Sequence, residues 1–258
     1  MKRILVVGSS WVGDMVMAQS LFKVLRRESS DCHISVLAPE WSAPVTERMP
    51  EVADTIAMPV GHGRLGLAKR WRLARGLAGR FDQAIILPGS FKSALVPWFA
   101  RIPHRTGYTG EQRYGLLTDR RTLDRDAMPF HLQRVAGLGL PATAPSLALD
   151  TIPWPALRID PVVRREAAVR HGILSDVPMV AVCPGAEFGP AKQWPAGHFS
   201  SVAVQFSQLG WRVLLLGSAN DREVCAAVAR AAPACRNLAG RTSLVEAVDL
   251  LSLCKAAL

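Results

Sequence analysis

Short apolar runs alternate along this chain with helix-length amphipathic stretches, and that alternation leaves few folds open. Strand-sized runs spaced in this way build βαβ units, hence a mainly parallel sheet with helices on its faces and an α/β fold. The runs that read as strands are Arg3–Val7, His33–Ala38, Thr55–Met58 and Gln83–Leu87, then, after a gap, Met179–Cys183 and Arg212–Leu216. Within the gap, Leu147–Pro161 carries Pro153, Pro155 and Pro161 with little helical period, and reads as an interdomain linker. The expected organisation is two Rossmann-like, doubly wound domains, 1–155 and 156–258. The second opens as the first does, but only two or three strands fit where such a domain needs about five or six. It therefore reads as incomplete at its C-terminus, with the helical stretch Leu244–Cys254 lacking the strand it should lead into.

At 258 residues and 49% hydrophobic, the chain can bury two ordinary cores. Met1–Gly8 offers too short an apolar core for a signal peptide, and no run approaches the ~20 apolar residues of a membrane span. A cytoplasmic location is expected. Residues 1–155 hold 20 Lys+Arg against 13 Asp+Glu, so the first half calls for an anionic partner. No nucleic-acid-binding motif accompanies that charge and no aromatics interleave it, whereas a phosphorylated glycolipid on an anionic membrane would satisfy it. The five cysteines (Cys32, Cys183, Cys225, Cys235, Cys254) are scattered without a Cys-x-x-Cys pair and read as buried free thiols.

Two turns after strands could carry chemistry. In Val6-Val7-Gly8-Ser9-Ser10-Trp11-Val12-Gly13-Asp14, a strand runs into a helix whose inner face holds Met15, Ala18, Leu21, Phe22 and Leu25. It is not a dinucleotide fingerprint, since Ser10 stands where a second glycine is needed. It does place Asp14 near a helix N-terminus at the carboxyl end of the first strand, where open α/β sheets bind ligands. Asp14 is either an N-cap or a catalytic base. In Cys183 through Pro195, Gly185 and Gly189 permit close backbone approach, and Lys192 before a helix could hold a diphosphate; a purely structural turn explains the glycines and prolines but not Glu187 and Lys192 together in so apolar a loop.

Between Gly61 and Arg80 stand Arg64, Lys69, Arg70, Arg72, Arg75 and Arg80 with no acid among them, on a stretch that reads as a helix whose Leu65, Leu67, Leu73 and Leu77 could face the sheet. Such charge is either a solvated face or a seat for an anionic lipid head group. Phe91-Lys92-Ser93-Ala94 and Pro103-His104-Arg105-Thr106-Gly107-Tyr108 read as loops facing one cleft. The histidines His33, His62, His104, His131, His171 and His198 lack metal-ligand spacing and read as structural or surface groups. Asp124-Arg125-Asp126 has the Asp-x-Asp form of metal-dependent glycosyltransferases but follows no apolar strand, and reads as chance.

Taken together, several stretches resemble the heptosyltransferase family, and its heptosyltransferase II branch in particular: Ser10–Met17, Arg48–Val52, Leu87–Pro97, Ile102–Gly107, Arg113–Leu117, Cys183–Lys192 and Asn237–Gly240. They run the length of the chain in family order. The resemblance implies an inverting, metal-independent GT-B glycosyltransferase that moves heptose from ADP-heptose to the heptosyl-Kdo2-lipid A core of lipopolysaccharide at the cytoplasmic face of the inner membrane, without a cofactor. It makes Asp14 the general base and sets Lys192 against the charge of the departing ADP. Gly13, Gly185, Ala186 and Glu187 would line the nucleotide-sugar side, and Ser10, Trp11, Lys92 and Arg105 the acceptor side. The family continues past the position of Leu258 with a strand and an Asn-Asp-Ser-Gly-Leu-Met-His segment, so a truncated and weakly active or inactive form is expected. A non-catalytic acceptor-binding or interaction module is the alternative, and an NAD-linked oxidoreductase is disfavoured by the absent fingerprint.

Overall fold

A computed structural model of the chain describes residues 1–61, 63–173, 176–186 and 190–258. It divides into two compact units, Met1–Arg158 and Ile159–Leu258. The first unit runs β1 (Arg3–Val7), α1 (Val12–Glu28), β2 (His33–Ala38), α2 (Ala43–Thr46), β3 (Asp54–Ala57), α3 (Leu67–Leu77), β4 (Gln83–Ile86), α4 (Leu95–Phe99), β5 (His104–Tyr108), β6 (Asp119–Arg121) and α5 (His131–Gly137). Its six strands are all parallel in the order β3-β2-β1-β4-β5-β6. The order reverses between β1 and β4, and this switch point is where a doubly wound sheet opens a crevice.

A parallel sheet must be covered on both faces, which is why its central strands are continuously apolar. Leu5 and Val7 of β1 pack with Ala74, Leu77, Leu95 and Val96 in one cluster. The expected inner face of α1 is buried throughout: Met15, Ala18, Leu21 and Phe22 are fully enclosed and Leu25 nearly so. Each such large side chain contributes about 1.5–3 kcal/mol by leaving water.

The proline-rich stretch holds the division between the two units, and as far as Arg158 its backbone is strapped along α1. Ala156 exchanges hydrogen bonds with the buried Gln19 amide, Ser20 Oγ donates to Pro153 O at 2.7 Å and Lys23 Nζ to Trp154 O at 2.7 Å. Polar side chains on the outer side of α1 replace the apolar contacts that an extended proline segment lacks. Residues 104–108 form β5 rather than a loop, paired in parallel with β4 and with β6.

The second unit contains α6 (Pro161–Arg170), β7 (Met179–Val182), α7 (Ala196–Gln208), β8 (Arg212–Leu215), α8 (Arg222–Ala231), β9 (Arg236–Asn237), α9 (Leu244–Leu251) and β10 (Ala256–Ala257), with parallel strands in the order β10-β7-β8-β9. The helix that seemed to lead nowhere does reach a strand. β10 pairs with β7, and the ladder continues as Cys183 N–H donates to Leu258 O at 2.7 Å. Two alanines carry too weak a strand signal to be read without their partner.

Glu246 locks the start of α9. Its carboxylate accepts the Ser243 N–H at 2.8 Å and the Ser243 hydroxyl at 3.0 Å, a reciprocal capping box, and Arg170 of α6 closes on its other oxygen. The Ser243 backbone donor, reinforced by the Ser243 hydroxyl and the Arg170 guanidinium, holds the carboxyl pKa down at about 2. A depressed native pKa stabilises the fold above the unfolded carboxyl value and loses that contribution as pH falls toward the native one. Denaturant melts should therefore show wild type weakening between about pH 4.5 and 2. Glu246→Gln should lack that part of the slope, and parallel pH profiles would refute the assignment.

The cysteines are mixed: Cys32 and Cys225 are buried and Cys235 and Cys254 partly so, while Cys183, expected inside, is exposed at the carboxyl end of β7.

Candidate active site

The β1 and β4 chains part just after Val7 and Leu87, and a cavity of about 660 Å³ opens between them. Gly8 floors its entry, and a Cβ there would press on the far end of the Met15 side chain, which would have to swing aside. Ser9, Ser10, Trp11 and Asp14 form one wall, and Pro88 through Ser93, including Lys92, form another. Leu65, Arg70, Glu111 and His131 complete it.

The residue capping α1 is Trp11, with extended backbone and no side-chain cap hydrogen bond, so Asp14 is not the N-cap but lies within the first turn of the helix. Its carboxylate instead accepts the Ser9 hydroxyl at 3.2 Å, and Ser9 Oγ in turn accepts the Trp11 N–H at 3.3 Å. The other oxygen lies 3.9 Å from His131 Nε2. The side chain is 35% exposed and lines the cavity. The carboxylate thus lies near the positive end of the α1 dipole.

Of the residues expected at the acceptor, Ser10, Trp11 and Lys92 share the cavity with Asp14. Trp41 Nε1 fixes the wall by donating to Ser10 O at 2.7 Å. Arg105 is not among the lining residues. Its guanidinium donates to Leu116 O at 2.6 Å and Ile102 O at 2.5 Å, so its charge is spent on backbone of its own unit. A strand residue looks like a loop ligand when its neighbours are Pro, His, Thr and Gly, which conceal the period of two. Gly13 is exposed, and a Cβ there would meet nothing within 4 Å, so no packing demands glycine.

Four further groups stand in or behind the cavity walls. His131, set aside for lack of metal spacing, stands beside Asp14 because α5 packs against α1. Arg70 lies 95% out of solvent on the inner side of α3, donating to Leu65 O at 2.7 Å, with burial lowering its pKa. Leu65 and Leu67, expected to face the sheet, are instead exposed, and Arg70, Ala74 and Leu77 take the inner face. Arg113 is fully enclosed, and burial also pulls its pKa down. Its fork donates to Pro88 O at 2.6 Å, to Ser93 Oγ at 3.2 Å and to Tyr108 O, tying the Lys92 wall to the end of β5. Glu111 accepts the Phe91 N–H at 2.9 Å from a left-handed backbone (φ 33°), strain of the kind stored at functional sites.

In the second unit, Gly185 and Ala186 follow β7 and are half-buried, while Glu187 lies outside the described residues, as does His62. A Cβ on Gly185 would strike the Asp221 carboxylate, and one on Gly217 would come within 2.8 Å of Asp221 Cβ, so glycines after β7 and β8 make room for that side chain. Lys192 is exposed at the end of a short 3-10 turn, Pro190–Lys192, shortly before α7. Trp194 stacks on His198 with ring centroids 4.9 Å apart and anchors the turn to that helix.

Among the described residues, no group of three or more His, Cys, Asp and Glu could hold a metal ion. Asp124 accepts the N–H groups of Asp126 and Ala127 at 3.0 Å, the role of a turn residue rather than of a metal ligand. No described helix is long and apolar enough to cross a membrane.

Two parallel α/β units in one chain, the first with a carboxylate in the crevice at its switch point, form the α/β framework that the solved structures of GT-B heptosyltransferases share with this chain. A family model described as glycosyltransferase family 9 (heptosyltransferase) matches residues 70–258. Lipopolysaccharide heptosyltransferase 2 of Escherichia coli (strain K12) is 46% identical over 264 residues, spanning 98% of this chain and 76% of that protein. Its namesake from Salmonella typhimurium is 46% identical over 263 residues with the same coverage. The solved structure of E. coli ADP-heptose lps heptosyltransferase II superposes with a TM-score of 0.90 at 42% identity, covering 100% of this chain and 78% of that one. The chain belongs to glycosyltransferase family 9, the heptosyltransferases.

Proposed function

We propose that the protein transfers L-glycero-D-manno-heptose from ADP-heptose to the heptosyl-Kdo2-lipid A core of lipopolysaccharide, at the cytoplasmic face of the inner membrane. One observation carries the mechanism: Asp14 does not cap its helix, and presents a carboxylate held by Ser9 to a walled cavity. The acceptor sugar sits in that cavity, with Ser10, Trp11 and Lys92 around it. Asp14 takes the proton of the attacking hydroxyl as the oxygen bonds to the anomeric carbon, and the bond to ADP breaks on the opposite face, inverting the configuration. In the second unit, Lys192 and the turn at Gly185 and Ala186 are the groups that would hold the ADP diphosphate, where negative charge grows as the bond breaks and fixed positive charge is worth most. The first domain thus holds the acceptor and the second the donor. The names of the similar proteins support the substrates, and the positions of Asp14, Ser10, Trp11 and Lys92 support the roles.

The test is ADP release from ADP-heptose, with heptosylated and unheptosylated Kdo2-lipid A compared, each with and without EDTA. Release is expected with the heptosylated acceptor alone, undiminished by chelation. Equal turnover of both acceptors would overturn the substrate assignment. Acceptor binding without any ADP release would favour the non-catalytic module.

A further inference from the structure

We propose that the outer side of α3, with Leu65 just before it, is the surface by which this protein lies on an anionic lipid bilayer. The inference rests on the cavity being the acceptor site. The inner side of α3 is accounted for, since Arg70, Ala74 and Leu77 face inward. Leu67, Trp71 and Arg75 follow one another at four-residue spacing, which aligns them along a single stripe of the helix. Leu67 is 50% and Trp71 49% exposed, and Leu65 in the preceding loop is 48% exposed. The Arg75 guanidinium lies over the Trp71 ring, 4.9 Å from its centroid. Lys69 and Arg72 are exposed beside the stripe.

Single exposed apolar residues need no explanation. Here a tryptophan and two leucines occur on one short segment, and from Gly61 to Arg80 every charge is positive. That combination is the interfacial helix: apolar side chains enter the head-group boundary while basic groups pair with lipid phosphates. Tryptophan suits this boundary because its ring is apolar and its N–H remains wet, and arginine can bury its stem and keep its charge outside. Position supports the same occupant. Gly61, Gly63 and Leu65 of the loop also wall the cavity, so a bilayer resting against α3 meets the cavity mouth. A lipid-borne sugar could then reach Asp14 without leaving the membrane.

The test uses the whole chain and sedimentation with vesicles, comparing pure phosphatidylcholine with a mixture containing phosphatidylglycerol at about a third of the lipid. Wild type should pellet with the anionic vesicles and remain in solution with the neutral ones. Leu67→Ser with Trp71→Ser, and separately Arg72→Gln with Arg75→Gln, should weaken that binding at least about tenfold, since each basic residue near such a surface is worth roughly fivefold. Neither pair lines the cavity, so transfer to a water-soluble, delipidated acceptor should be unchanged. The proposal fails if wild type does not distinguish the two vesicles, if both variant pairs bind as wild type does, or if the variants lose transfer to the soluble acceptor in equal measure. Vesicle binding by a chain that transfers no heptose would overturn the functional reading and leave the docking surface standing.

Discussion

Asp14→Asn should lower the rate of heptose transfer by about 10²–10⁴-fold, the usual weight of a positioned proton acceptor. The substitution is nearly isosteric. The asparagine carbonyl can still accept the Ser9 hydroxyl that now reaches Asp14 at 3.2 Å, so the wall of the cavity should keep its shape. What disappears is the capacity to take a proton. Because Asp14 is 35% exposed and belongs to no buried ion pair, the fold has little to lose, and melting should move by no more than a surface change does. Loss in kcat with KM nearly constant would mark an interaction needed only in the transition state. A variant within tenfold of wild type would remove Asp14 from the role of base. In that case His131, 3.9 Å away, becomes the group to test next.

Arg113→Ala should be the most damaging single change to the first unit. The side chain is 99% buried and its fork donates to Pro88 O, Ser93 Oγ and Tyr108 O. Truncation leaves those acceptors unpaired in a dry interior and opens a cavity, two costs that together come to about 3–5 kcal/mol. For a unit of this size that corresponds to a fall in melting temperature on the order of 10 °C. Arg113→Lys tests the geometry separately: it keeps the charge but cannot satisfy carbonyls on both sides, so an intermediate loss is expected. Transfer should also slow at temperatures where the variant remains folded, because Pro88 and Ser93 set the wall that carries Lys92. A melting temperature unchanged by Arg113→Ala would contradict this account.

Much of the fold could be read in advance because its signals are local. β1 and β2 begin and end where their apolar runs do, and the helical period of α1 named its buried face residue by residue. Failures cluster where a neighbour decides. β5 and β10 have weak strand sequences and exist through the pairing that β4, β6 and β7 supply. In α3 Leu73 and Leu77 do pack inward as their spacing suggests, but Leu67 and Trp71 stay outside while the buried Arg70, whose Nε finds the Leu65 carbonyl, takes an inner position that residue type alone would not give it.

The same division runs through the site. The sequence alone determined that a carboxylate follows the first strand, that a lysine follows a glycine turn in the second half, and that the early part of the chain is basic, since each is a matter of residue type and short spacing. Whether Asp14 caps its helix, which basic residues are spent on backbone carbonyls, and that His131 stands beside Asp14 were decided by tertiary structure. Those answers depend on which oxygen or nitrogen lies within about 3–4 Å, and chain segments more than 100 residues apart in sequence come that close only after the sheet has formed.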